Sequence, residues 1–181
     1  MADGFAIEIE IRDDVTAALD RAIAAAIDLT PAMKDIAGEL ADTTRERFET
    51  QESPAGVPWK PSRRAEEEGG RTLTLHGHLV DSIREDWGPD HAAAGPEASG
   101  PAAVYAAIHQ FGGTIRPRPR GFRPGARAKK ALSFGGRVVA KVVIPARPYL
   151  GFNDENADYA VDTLTAHMAH AFAAGAAEAG A

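Results

Sequence analysis

Cysteine is absent from the 181 residues. That excludes disulfides, thiol nucleophiles and thiolate-ligated zinc or iron–sulfur centres. Aromatic residues are scarce at 7 %, and alanine supplies much of the apolar content, so the expected core is modest or completed by neighbouring subunits. No apolar run reaches the roughly 18–20 residues that a membrane span needs. Residues 1–14 lack the basic-then-apolar order of a secretory signal. A cytoplasmic site of synthesis and use is therefore expected, with no membrane partner. The serines sit in no Gly-x-Ser-x-Gly elbow, and no phosphate-binding Gly-x-x-x-x-Gly-Lys loop occurs. Glu66, Glu67 and Glu68 form a solvated run, while Asp154 and Glu155 suit a helix start. The expectation is a protein that is not an enzyme and carries neither metal nor cofactor.

Charge is plentiful but unevenly placed. The net charge is −6, yet residues 114–148 contain ten basic side chains and no acidic one. The remainder balances ten basic against 26 acidic residues. Within the basic stretch, Arg116, Arg118, Arg120, Arg123, Arg127, Lys129 and Lys130 alternate with prolines at 117, 119 and 124, which forbid a regular helix. Residues 114–136 are read as an extended basic arm. Such an arm suits either an acidic protein surface, including that of another copy, or nucleic-acid phosphates. Phe122 and Phe134 offer the bases little to stack on.

Hydrophobic periodicity predicts the remaining elements. Phe5, Ile7, Ile9 and Ile11 alternate as in a half-buried strand. A helix follows from Asp13 or Asp14, with Val15, Leu19, Ile23 and Ile27 on one face. Thr30 and Pro31 are expected to cap and open a second helix reaching Thr50, with Met33, Ile36, Leu40, Thr44 and Phe48 facing inward. Residues 53–70, with three prolines, three glycines and a charge run, read as a mobile loop. Residues 73–83 read as a short helix and residues 84–87 as the start of a strand; residues 91–101 give little signal. Residues 101–111 read as a helix with Val104, Tyr105, Ile108 and Phe111 on one side, ended by Gly112 and Gly113. Residues 137–144 read as a central strand. A last helix starts at Asn153 or Asp154 and runs to about Ala173, followed by a frayed tail from 174. The pattern predicts a single α+β domain: long helices at both ends packed on a small antiparallel sheet, with the basic loop extended from it.

The histidines are the residues closest to a chemical signature. His76 and His78 have metal-like spacing, and with His109 they offer a hydrolytic metal site as one reading; polar surface or packing is the plainer one. His167 and His170 read as surface or interface residues.

Four segments in order carry a further signal: FETQESPAGVPWKP at 48–61, LTLHGHLVDSI at 73–83, YAAIHQFGG at 105–113 and IPARPYLGF at 144–152. Together they resemble the phage virion morphogenesis family, which includes tail-completion proteins of Mu-like and P2-like phages, over roughly residues 32–172. The resemblance implies a virion protein assembled in the host cytoplasm that completes the tail or makes the head–tail (neck) joint. Its implied partners are copies of itself in a ring, taken as a hexamer, other tail and head–tail joining proteins, and packaged DNA. Trp59, Tyr105, His109, Gln110, Phe111, Arg147 and Tyr149 are then candidates for subunit contact or assembly, with Arg147 as an intersubunit ion-pair partner. A purely fold-holding role stands beside each. A nucleic-acid-binding module built on residues 116–130 is the alternative function.

Overall fold

The computed structural model describes residues 28–117, 131–134 and 137–179, together with positions 16, 19–21, 23 and 24, which are helical. The expected strand at 5–11 and most of the basic arm, including Arg118, Arg120, Arg123, Arg127, Lys129 and Lys130, lie outside the described residues.

Helix α1 spans Thr30–Thr50 with Pro31 in its first turn. The cap differs from the sequence expectation. Leu29, not Thr30, stands at the N-cap and has no capping side-chain bond; Asp28 Oδ1 accepts from the Thr30 amide at 3.1 Å, and this contact lowers the Asp28 pKa. The buried face also differs. Ala32, Ile36, Ala37, Ala41, Thr44, Arg47 and Phe48 are buried, whereas Met33 and Leu40 are only half-buried. Alanines occupy the inner stripe because α1 is packed on two sides and closely.

One of those sides is a β-hairpin. Strand β1, Ile83–Trp87, pairs antiparallel with β2, Ala92–Pro96, in the register Ile83↔Pro96 to Trp87↔Ala92. α1 lies across both strands. The Arg45 guanidinium donates to the Ile83 carbonyl at 3.0 Å, and Lys34 Nζ sits 5.6 Å from the Trp87 ring centroid. The Ala-Ala-Ala-Gly-Pro sequence of β2 has no β-branched or aromatic residue, so local propensity gave no strand signal there.

The other side is the last helix, α4, Asp154–Ala179, which extends past the expected end near residue 173. Thr43 meets Asn156 while Pro31 and Ala32 share a cleft with Thr163 and His167, so α1 and α4 run antiparallel. Asn153 and Asn156 cap α4 reciprocally. The Asn156 amide donates to Asn153 Oδ1 at 3.0 Å, and the Asn153 amide to Asn156 Oδ1 at 3.4 Å, a capping box with asparagine in both places.

Between these elements the chain departs further from its local pattern. Within 53–70, residues Arg63–Glu68 form a one-and-a-half-turn helix, α2, capped by Ser62 Oγ and laced by Arg63 and Glu67 at 2.7 Å. The expected helix at 73–83 shrinks to a 3₁₀ turn at Val80–Ser82. Helix α3, Ala103–Phe111, ends at Gly112 in a positive-φ conformation. The expected central strand at 137–144 is two strands. β5, Arg137–Val139, pairs with β4, Leu132–Phe134. β6, Val142–Ile144, pairs with β3, Gly113–Ile115. The described residues thus hold three separate two-stranded antiparallel sheets, and the fold class is α+β as the sequence implied.

The core gathers Ala41, Phe48, Trp59, Leu79, Ile83, Ala102, Ala106 and Tyr149. Phe48 lies at its centre, with Trp59 edge-on at 5.5 Å and Tyr149 tilted at 5.3 Å between ring centroids. Each such ring removes about 150–250 Å² from water, so three aromatics compensate for a largely alanine interior.

Candidate functional site

The segments that stood out in the sequence converge on one junction. Its closing strand of chain is residues 145–152, which runs between β6 and α4 and is held from three directions.

From α3, Gln110 acts as a two-sided clamp. Its Oε1 accepts from the Tyr149 and Leu150 amides at 3.0 Å each, and its Nε2 donates to the Leu150 carbonyl at 2.8 Å. The Arg147 amide donates to the His109 carbonyl at 2.7 Å. Gly112 follows at φ +71°. A Cβ there would lie 2.7 Å from the Ala146 nitrogen and 3.0 Å from the Ile144 oxygen, so only glycine permits this approach.

From the 51–61 loop, the Trp59 indole nitrogen donates to the Pro148 carbonyl at 2.9 Å. In return, Arg147 Nε donates to the Lys60 carbonyl at 2.7 Å and Nη2 to that of Pro61 at 3.2 Å. Gly151 lets the loop close: a Cβ there would meet the Pro54 ring at 2.5 Å. Gln51, left-handed at the end of α1, ties in residue 72 with its side chain: the Thr72 amide donates to Gln51 Oε1 at 2.6 Å, and Gln51 Nε2 donates to the Thr72 carbonyl at 3.2 Å.

From α1, Arg47 Nη1 donates to the Tyr149 and Gly151 carbonyls at 3.1 and 2.9 Å, and Nη2 to Asn156 Oδ1 at 3.1 Å. Asn156 then donates to Thr43 Oγ1 at 3.2 Å. Arg47 and Arg147 are both buried, and burial lowers the pKa of each. Neither meets a carboxylate in this network. A guanidinium matched to several carbonyls keeps its donors satisfied while the chain crosses the interior.

The seven candidate assembly residues therefore separate. Trp59, Arg147 and Tyr149 are 6 %, 5 % and 1 % exposed; they hold this chain's own junction and present almost no side-chain surface to another subunit. Arg147 in particular directs Nε and Nη2 to the Lys60 and Pro61 carbonyls of its own chain. The Tyr149 hydroxyl reaches the Ala106 carbonyl at 3.3 Å, and burial pushes its pKa up to about 12. Gln110 is half-buried and committed to the clamp. Tyr105 and His109 are half-buried and edge-on to each other at 5.8 Å. Only Phe111 is fully outward, 79 % exposed. Of the basic arm, Arg116 is described and exposed.

α3 is also turned relative to the sequence expectation. Ala102 and Ala106 point into the core, while Val104 is 90 % exposed. Val104, Ala107 and Phe111 make an outward apolar stripe beside a groove of about 490 Å³ lined by Pro96, Ala98, Leu150 and Phe111 among others. Arg47, Asn156 and Gly151 were missed from sequence. The Asn-x-x-Asn spacing at 153–156 was the one available signal.

His76, His78 and His109 do line a common cavity. Among the described residues, however, no group of three or more histidine, aspartate or glutamate side chains is placed to hold a metal ion. Burial, then the neighbouring Arg147, lowers the His109 pKa, and its Nδ1 is buried without a partner. Nor, among the described residues, is any helix long and apolar enough to cross a membrane.

Comparison with known proteins identifies the class. The model of the phage virion morphogenesis family matches residues 12–169, and the chain belongs to that family. It is 34 % identical over 129 residues to the proposed capsid assembly protein G of Escherichia phage Mu, covering 65 % of each chain. It is 32 % identical over 146 residues to the Mu-like prophage FluMu G protein 2 of Haemophilus influenzae, covering 80 % of this chain and 83 % of the relative. The chain thus spans just under two thirds of the phage Mu relative. No solved structure matches. The family, with its Mu-like relatives, points to a structural or assembly role in the phage virion, and the family description and the phage Mu relative's name describe building.

Proposed function

We propose that the chain completes the phage tail, or forms the head–tail joint, as a closed ring of identical subunits. The observation that carries this reading is the outward apolar stripe of α3. A nine-residue helix without a charged side chain shows Val104 and Phe111 to solvent, and contiguous exposed apolar surface marks interaction sites. The sheets support it. A two-stranded sheet leaves each strand with one unpaired edge, ready for pairing with another chain. Edges and stripe repeated around a closed rotation give each subunit two neighbours, and six is the expected number. Other tail and head–tail joining proteins are the axial partners, and the virion's tail or neck is the location.

The basic stretch supports a contact with packaged DNA inside the same assembly. Ten basic residues with no acid between 114 and 148 would neutralise phosphates with strong salt dependence. Light scattering of the purified chain at low and high salt, with and without duplex DNA, tests both readings. A discrete ring in the absence of DNA supports the joint, and a gain in its mass with duplex at low salt supports the DNA contact. A monomer that binds DNA at low salt and releases it at high salt replaces the joint with a nucleic-acid-binding module.

A further inference from the structure

The three-histidine cavity has a chemistry of its own. It encloses about 180 Å³ and is lined by Ser62 and Arg64 of the α2 region, by Leu73, Leu75, His76, Gly77, His78 and Leu79, and by Tyr105 and His109 of α3. Every polar side chain in that lining can donate a hydrogen bond and none is a carboxylate. Among the described residues, the hydrogen bonds of the Arg64 guanidinium go to the Gly69 and Arg71 carbonyls rather than to a carboxylate. His76 and His78 are exposed, with ring centroids 5.7 Å apart. Arg147 adds positive potential behind His109. Asp81 packs against Gly77, where an added Cβ would lie 3.0 Å from Asp81 Oδ2, and Glu66, Glu67 and Glu68 follow Arg64 on α2; none of these acids is among the lining residues.

We infer that this cavity receives the carboxylate of an aspartate or glutamate from a second copy of the chain. The size favours this occupant: the volume is below the roughly 300–1,000 Å³ of small-molecule sites and suits a side-chain terminus rather than a nucleotide. The charge favours it as well, because outside residues 114–148 the chain carries 26 acidic against ten basic side chains. The ring nitrogens of His76 and His78 and the Arg64 guanidinium supply the N–H donors for such an oxyanion. The inference rests on the ring reading for the source of the carboxylate, but not for the chemistry of the cavity.

The experiment has two arms on the full chain. In the first, a tetraglutamate peptide is titrated at pH 6 while the histidine ring resonances are followed by NMR, with a short DNA duplex as the comparison. In the second, self-association is measured by light scattering for the natural chain and for His76→Gln/His78→Gln. Expected are perturbation of His76 and His78 by the peptide, and self-association weaker by about tenfold in the variant, the loss of charge-assisted hydrogen bonds, with an unchanged circular dichroism spectrum. Rings undisturbed by the peptide at pH 6 would overturn the site. Duplex perturbing them where the peptide does not would replace the carboxylate with a phosphate backbone. Peptide binding by a chain that never self-associates would overturn the second copy as the source, while leaving the cavity's chemistry standing.

Discussion

Replacing Gln110 with leucine isolates the clamp that joins α3 to the chain before α4. The side chains are similar in size, so the change removes hydrogen bonds with little cavity. Three bonds disappear, at 3.0, 3.0 and 2.8 Å. Each is worth about 1 kcal/mol net, and a buried donor left alone costs about 1–3 kcal/mol. Tyr149, whose amide loses its acceptor, is 1 % exposed, whereas Leu150 is half-buried and can be partly rescued by water. The expected loss is therefore about 2–3 kcal/mol in total. At about 2–4 °C per kcal/mol for a chain of this size, the midpoint should fall by about 4–12 °C. Urea unfolding followed by circular dichroism measures the first number and a thermal scan the second. Amide hydrogen exchange at Tyr149 and Leu150 should accelerate with them. A loss under about 0.5 kcal/mol, the range of an ordinary surface change, would show that the clamp does not hold the junction.

Four further outcomes are expected. Trp59→Ala should cost about 3–5 kcal/mol in the same urea assay, the range for large core aromatics, because the indole is buried against Phe48 and bonded to Pro148. Acid should unfold the natural chain more readily than His109→Gln: the His109 pKa is depressed in the folded state, so its contribution is full above the ordinary histidine value of about 6.5 and fades as pH falls below it. Alkali should act through Tyr149, whose pKa is raised from 10.0 to about 12; its contribution is full below pH 10 and lost as pH rises toward 12, and Tyr149→Phe should remove that component of a pH-resolved melt. Deleting residues 117–130 should leave the circular dichroism spectrum and urea midpoint of the protomer intact while particle yield falls in a complementation assay; loss of folding would show that the segment belongs to the body rather than to assembly.

The sequence revealed the elements whose signals are local. The Thr30–Thr50 helix, the β1 strand and the start of α4 follow from periodicity, proline and asparagine placement. β2 was not visible because alanines and glycine become a strand only when β1 and α1 supply its partners. The valines of 137–144 suggested one strand, but Ala140 and Lys141 separate two strands with different partners, which β-propensity cannot foresee. α3 looked amphipathic with Val104 inward, whereas its alanine face is the one that fits beneath Tyr149; with alanine on one side and valine and phenylalanine on the other, burial runs opposite to size. The motif residues were found by resemblance, with a fold-holding role standing beside the assembly one, but their particular partners were not legible. Arg147 reads as a surface charge until Lys60 and Pro61 are seen to take its donors, because nothing local announces a guanidinium bound for backbone carbonyls.

The junction also sets an order of events in time. Phe48, Trp59 and Gln110 are in place early in the chain, but their shared partner, residues 147–151, is made last among them and lies 38 to 104 positions away from its hydrogen-bonding partners. Contacts of such span pay loop-closure entropy before any reward and slow folding. A nascent chain that ends before Arg147 therefore carries an open aromatic cluster with no lid. For a protein whose finished form is an assembly, that makes the interval before residue 151 emerges the period of greatest exposure to premature association.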